Sequence, residues 1–246
     1  MSKTAIVTGG GSGVGRATVL ALAAAGTRVF AVGRNPVPLE AVRKAAGPGQ
    51  VIPRALDATD AAAMDRLIDE ADPDLVVLSA GARARIALVP EQTWESFSAP
   101  WNTDVKIAFQ VGQTALRRPL RPGSLVVIVS SGAGLGGSPL SGGYAGAKRM
   151  QMFLATYLQR AADTAKLGLR FLALVPKQLI AGTELGTEVG EAYAALAGLP
   201  REKFMERFGA PLTAERVAGT IVQIAGGELA REGTILGVSG AGTEAL

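Results

Sequence analysis

Tyr144 and Lys148 stand four residues apart in Tyr144-Ala145-Gly146-Ala147-Lys148, thirteen residues after Ser131. On a helix, positions i and i+4 share a face, so a phenol and an ammonium point into the same space. A cation beside a phenol favours its ionised form, which suits the phenol to passing a proton near neutral pH. Read alone, this spacing also describes an ordinary helix surface. Here it follows a Ser-rich strand end and a chain that begins Thr8-Gly9-Gly10-Gly11-Ser12-Gly13-Val14-Gly15. Together the three segments suggest a proton-transfer site built beside a nucleotide.

Composition narrows the chemistry. The chain has no cysteine and no histidine among 246 residues. Thiol nucleophiles, disulfides and thiolate metal sites are excluded, and a histidine base or an imidazole-bound metal is excluded with them. No metal is expected, and proton work falls to Tyr, Lys, Ser, Asp and Glu. Net charge is +4, from 25 Lys and Arg against 21 Asp and Glu. The basic residues are scattered, without aromatic interleaving, which argues against nucleic acid and suits a small anionic ligand. No apolar run approaches the ~18 residues of a membrane span. The N-terminus runs directly into a strand without a signal peptide, which points to the cytoplasm.

The elements that must position these groups alternate along the chain. Strands are expected at Lys3–Thr8, Arg28–Gly33, Gln50–Leu56, Asp74–Ser79, Leu125–Ser130, Arg170–Val175 and Thr234–Val238. Helices are expected at Gly13–Ala25, Pro38–Ala46, from an Asp60 N-cap to Ala71, Gln92–Arg117 with a kink at Pro100, Tyr144–Ala165 and Thr213–Ala225. Leu125–Val129 is apolar without alternation, the pattern of a strand buried on both faces of a parallel sheet. The rhythm predicts one α/β domain over 1–246, a Rossmann-type doubly wound parallel sheet of about seven strands flanked by helices. Residues 176–208 read as an irregular, mobile segment with short helices.

At the first strand-to-helix turn, Gly9, Gly13 and Gly15 let the backbone turn tightly and approach a pyrophosphate on a helix N-terminus. The expected cofactor contacts there are Gly9, Gly11, Ser12, Gly13, Val14 and Gly15. A ligand-free glycine turn is the plain alternative. An Asp or Glu at the end of the second strand would bond a ribose 2′-hydroxyl, but Gly33-Arg34-Asn35 stands in its place. No carboxylate repels a 2′-phosphate, and Arg34, with Asn35 beside it, can grip one, so NADP(H) is expected over NAD(H). A solvated Arg34 is the plain alternative here.

At this point the chain resembles the short-chain dehydrogenases/reductases over essentially its whole length. Thr8–Gly15 is similar to the family's glycine motif, Ser131 to its active-site serine, and Tyr144-x-x-x-Lys148 to its Tyr/Lys pair. The resemblance implies an NADP(H)-dependent oxidoreductase interconverting a ketone and a secondary alcohol. In it, Tyr144 would transfer the proton, Ser131 would hold the carbonyl oxygen, and Lys148 would bind the nicotinamide ribose and support the phenolate. It assigns Asp57 and Ala58 to the adenine, and Ser79, Ala80 and Gly81 to the adenosine ribose. It also assigns Pro176 and Thr183 to the cofactor, and 176–208 to a substrate lid.

Three departures stand out. Ser79-Ala80-Gly81 keeps only the Ala-Gly of the family's Asn-Asn-Ala-Gly. The family's helix asparagine falls at Asp104, with Asn102 as a less well registered alternative; a carboxylate there would draw on the Lys148 charge. Lys177 replaces the glycine of a Pro-Gly turn, free to reach cofactor, substrate or solvent. Tyr193, Leu196, Phe204 and Met205 in the lid point to a substrate with an apolar body. The family's habit of pairing its two long helices implies a homodimer or homotetramer through 92–117 and 144–165. A cofactor-binding sensor with little turnover remains the reading from a different class.

Overall fold

The computed structural model describes residues 3–47, 50–229 and 233–246. The chain alternates β1 (Thr4–Thr8), α1 (Gly13–Ala24), β2 (Arg28–Gly33), α2 (Pro36–Ala46), β3 (Val51–Ala55), α3 (Ala61–Ala71) and β4 (Leu75–Leu78). It continues through α4 (Trp94–Pro100), the π-helical turn Trp101–Val105, α5 (Lys106–Arg117) and β5 (Leu125–Val129). One turn of helix, α6 (Ala133–Gly136), precedes the long α7 (Gly142–Thr164) and β6 (Arg170–Pro176). The last part holds β7 (Ile180–Ala181), α8 (Glu184–Leu196), α9 (Arg201–Glu206), β8 (Leu212–Thr213), α10 (Ala214–Gly226), β9 (Ile235–Val238) and β10 (Thr243–Ala245).

The main sheet runs β10-β9-β6-β5-β4-β1-β2-β3. Every pairing in it is parallel except that of β10 with β9. The expected seven strands are therefore present as a parallel core, and β10 adds an antiparallel edge that was not foreseen. Pro53 sits in β3, the opposite edge, where a missing N–H costs no ladder bond on the solvent side. Strand residues alternate between two cores because side chains point to opposite faces with period two. Val7, Val29, Val77 and Val127 pack with α1, α2 and α10, whereas Ile6, Phe30, Val76 and Ile128 pack with α3, α5 and α7.

Helix starts follow local chemistry. Asp60 caps α3 by accepting the Ala63 N–H at 3.1 Å, as the sequence implies. The helix expected over Gln92–Arg117 begins at Trp94 behind a Thr93/Ser96 capping box. It carries Pro100 inside and widens into the π-turn directly after it, because proline supplies no N–H to the α ladder. The helix expected from Tyr144 starts two residues earlier, at Gly142. Residues 176–208 are more ordered than the sequence suggests, since α8 alone runs 13 residues.

Gly143 sets how closely α7 approaches α4. A Cβ on Gly143 would collide with the carbonyl oxygen of Phe97. Gly143→Ala is expected to cost ~1–3 kcal/mol through forced separation of the two helices. The melting temperature should then fall by roughly 2–12 °C, on the scale usual for a domain of this size. An unchanged melting temperature in a thermal scan would rule out the contact.

Candidate active site

The strand order leaves β1 and moves outward to β3, then crosses back to β4 on the other side of β1. A parallel sheet that reverses in this way opens a crevice at the carboxyl ends of its strands. The cleft found there has a volume of about 1170 Å³. It is lined at one end by Gly9, residues 11–14, Arg34 and Asp57, in the middle by Ser131, Tyr144 and Lys148, and at the other by Tyr193, Phe204 and Phe208.

The turn after β1 is shaped by close approach. Gly9 has φ +69°, and a Cβ there would lie 2.9 Å from the Ala80 nitrogen, while one on Gly15 would run into the Gly9 carbonyl. Thr8 fastens this turn to the loop after β4, its Oγ1 accepting N–H bonds from Ser79 and Ala80, both at 3.1 Å. The sequence places Thr8 at the head of the glycine motif but does not show this role. Ser12 heads α1 but makes no side-chain cap, and the first helical bond runs from Arg16 N–H to Ser12 carbonyl. The N–H groups of the first turn thus remain open towards the cleft, an anion cradle by geometry and dipole. Gly11 packs behind it, where a Cβ would lie 3.0 Å from Pro38.

Arg34 lies exposed at the carboxyl end of β2 and lines the cleft. Asn35 also lines it, yet its Oδ1 is used to cap α2 by accepting the Val37 N–H at 3.0 Å. Asp57 accepts from Thr59 N–H at 2.9 Å and Thr59 Oγ1 at 2.8 Å. These bonds hold its carboxyl below the usual carboxylate range, the backbone bond most strongly, with Arg34 and Lys106 adding attraction against slight burial. Ala58, Ser79, Ala80, Gly81 and Pro176 line the same wall.

The centre is a buried charge cluster. Lys148, 7% exposed, lies 3.0 Å from Oδ2 of Asp104, which is 1% exposed. That contact is an ion pair short of good hydrogen-bond alignment, since Oδ2 makes no aligned bond. Lys148 Nζ makes its aligned bonds to the Val129 carbonyl at 3.2 Å and to Gln151 Oε1 at 3.1 Å. Burial pulls the Lys148 pKa down, but attraction from Asp104 and Tyr144 and the Asp104 contact outweigh it, so the net direction is up. Asp104 Oδ1 accepts the Ala82 N–H at 2.8 Å, and Gly81 leaves room for the carboxylate because a Cβ there would lie 2.8 Å from Oδ2. Lys148 Nζ sits 5.3 Å from the Tyr144 ring centroid, so the two do face one space. The alternative Asn102 lines the cleft, but its amide reaches only Ser98 Oγ at 3.5 Å.

Ser131 Oγ accepts the Ala133 N–H at 3.2 Å, which leaves its own proton for an acceptor in the cleft. Ser130 points away and donates to the Lys148 carbonyl at 2.8 Å. Thr183 borders the cleft as the N-cap of α8, its hydroxyl accepting from Gly186 N–H and donating to the Ile180 carbonyl. Lys177 is paired with Glu244 on β10, an edge strand the sequence did not reveal. Of the four lid residues singled out, Tyr193 and Phe204 line the cleft, whereas Leu196 and Met205 do not. The residue missed altogether is Gln151. Its signal was a polar side chain three residues after Lys148, on the face of α7 that carries Ala147, Met152 and Ala155.

A family model described as short chain dehydrogenase matches residues 3–193. The chain belongs to this family, and its architecture is single-domain α/β. It is 36% identical over 146 residues to a probable oxidoreductase of Streptomyces lividans, covering 54% of this chain and 46% of that protein. It is 34% identical over 128 residues to the L-xylulose reductase of Mesocricetus auratus, covering 52% of each. The chain thus spans about half the length of these relatives. The match to the 2,5-dichloro-2,5-cyclohexadiene-1,4-diol dehydrogenase of Sphingobium indicum is 34% identical and covers 71% of each. Among solved structures, a short-chain dehydrogenase/reductase from Brucella melitensis superposes with TM-score 0.82 at 20% identity, over 97% of this chain and 95% of that one. An actinorhodin polyketide ketoreductase solved with NADPH gives 0.81 at 22%, over 98% and 97%. At such identities these two establish the fold.

The sign of the Lys148 shift fixes a pH test. A lysine whose folded pKa is raised above 10.5 gives its full stability below that value and loses it as pH rises through the folded pKa. In Asp104→Asn the main attraction opposing burial is gone and the folded pKa falls, so the variant, destabilised while Lys148 is charged, should regain stability relative to wild type as pH rises. Melting temperatures between pH 8 and 11 check this, and superimposable wild-type and Asp104→Asn curves would refute it.

Proposed function

We infer that the protein is an NADP(H)-dependent reductase interconverting a ketone and a secondary alcohol. The observation that carries this reading is the convergence of Ser131, Tyr144 and the buried Lys148 in one cleft with the open N-terminus of α1. The residues fit a nicotinamide dinucleotide. Uncapped N–H groups would meet the pyrophosphate, on a turn kept tight by Gly9 and Gly15, where a Cβ would run into backbone. Arg34 makes no ion pair among the described residues and lies near enough to Asp57 only to attract it through space, so it is available for a 2′-phosphate. Asp57, Ala58, Ser79, Ala80, Gly81, Pro176 and Thr183 all line the cleft; by the family resemblance the first two would meet the adenine, the next three its ribose, and the last two the nicotinamide end.

The bound dinucleotide supplies the hydride. Ser131 donates its free hydroxyl proton to the substrate carbonyl oxygen and holds it in place. Tyr144 gives its phenolic proton to that oxygen as the carbon is reduced, and recovers one from solvent afterwards. Lys148 stabilises the phenolate left behind by charge, and Asp104 holds Lys148. The lid over 176–208 closes the far end with Tyr193 stacked on Phe204 and Phe208 at its edge, which suits a substrate with an apolar body. A second reading, a cofactor-binding sensor with weak turnover, draws on the Asp104 carboxylate, which offsets the Lys148 charge. Location in the cytoplasm accords with a cysteine-free chain.

NADPH and NADH oxidation against aliphatic, aromatic and cyclic ketones and a ketose tests the reading. Tyr144→Phe should lower kcat by ~10²–10⁴-fold, the usual worth of a general acid. Arg34→Ala should raise the KM for NADPH ~10-fold and leave that for NADH unchanged, the loss of one charge-assisted bond. Equal use of both cofactors by wild type would remove Arg34 from its role. NADPH binding without any turnover would favour the sensor.

The same reading makes the protein a homodimer or homotetramer through α5 and α7. Their outer faces leave Phe109 47%, Phe153 58% and Tyr157 57% exposed, with Phe153 stacked on Tyr157. Apolar side chains grouped in this way mark an association surface. Phe153→Glu should yield a folded monomer by light scattering, and an unchanged molar mass would place the interface elsewhere.

A further inference from the structure

Gln151 is 1% exposed and spans two partners at once. Its Oε1 accepts from Lys148 Nζ at 3.1 Å, and its Nε2 donates to the Asp104 carbonyl in the π-turn at 3.3 Å. The amide orientation is dictated by chemistry, because the flipped form would turn an NH2 towards an ammonium. An ammonium has three N–H donors. Val129 carbonyl and Gln151 Oε1 take two by aligned bonds, and the Asp104 carboxylate at 3.0 Å claims the third by charge. Lys148 therefore has no donor in reserve for a ligand entering the cleft.

We propose that Gln151 is a positioning residue that competes with the cofactor for Lys148, and that the nicotinamide ribose binds by taking the N–H that Gln151 holds. The inference rests on the cofactor reading above. Of the three acceptors, Gln151 is the exchangeable one. Val129 is backbone within β5, and Asp104 is a buried counter-charge whose loss would leave the ammonium unpaired. Gln151 is neutral, so giving up its bond to Lys148 leaves no buried charge without a counter-charge. Its contact pre-positions the ammonium in the cofactor-free protein, and the need to release it scales apparent cofactor affinity down to the fraction of molecules in which it is open.

Gln151→Met fills a similar volume without either bond, and Gln151→Leu is the second variant. Calorimetric Kd values are measured for whichever of NADPH or NADH wild type binds, and for 2′,5′-ADP or ADP, which lack the nicotinamide ribose. The expected result is cofactor binding ~5-fold tighter in the variants, about the net worth of one hydrogen bond. The ADP compounds should bind unchanged, even though the cofactor-free variants melt lower. A residue that only fills the core would give equal or weaker binding. Unchanged or weaker cofactor binding overturns the proposal, as does equal tightening of the ADP compounds. Failure of both variants to fold overturns it too, because a contact the fold requires is not one the cofactor exchanges. Wild type that binds no dinucleotide sinks the cofactor reading itself; a wild type that binds without tightening in the variants sinks this inference alone.

Discussion

An ammonium taken out of water must find a counter-charge and acceptors within the protein, and Lys148 finds them on three separate elements. Asp104 comes from the π-turn, Val129 from β5 and Gln151 from α7 itself. Such a pair adds little net stability, since desolvation consumes most of the attraction, but losing one partner is costly. Its effect is therefore geometric. It fixes the helix bearing Tyr144 against the strand ending at Ser130 and Ser131, and it fixes the π-turn against both. Asp104 extends the tie to the loop after β4 through Ala82.

The sheet gives that cluster its setting. Strands buried on both faces can be joined in parallel only by crossovers over those faces, so their carboxyl ends and the loops that follow them gather on one edge. The reversal beside β1 separates two of those loops and opens the cleft between them. Thr8 then holds the glycine turn against Ser79 and Ala80 at van der Waals distance. The glycine turn and the Ser131, Tyr144 and Lys148 cluster meet because each lies on a segment that follows the carboxyl end of a strand in one sheet.

Much of this was legible in the chain. The apolar run Leu125–Val129, the Asp60 cap and the alternation of elements each reflect interactions among neighbours in sequence. The Tyr144/Lys148 pair rests on the pitch of a single helix. Other residues were legible only in type. Asn35 reads as a cofactor contact, yet its oxygen caps α2. Lys177 reads as a cation free to reach the cleft, yet it pairs with Glu244 on a strand whose existence depends on β9 beside it. Leu196 and Met205 are apolar like the rest of the lid, and only the turn of α8 and the placing of α9 decide that they face elsewhere.

By itself the sequence determined the parallel α/β architecture, the glycine turn and the spacing of phenol and ammonium, because periodicity, capping and turn chemistry act over a few residues. The sequence already set the Asp104 carboxylate against the Lys148 charge; tertiary structure alone decided which neutral groups complete the cluster. Gln151 meets the Asp104 carbonyl across 47 positions of chain, and Lys148 meets the Val129 carbonyl across 19. Contacts of that span are set by how helices dock on the sheet. Side-chain identity says only that a partner is needed, and packing says which one is within reach.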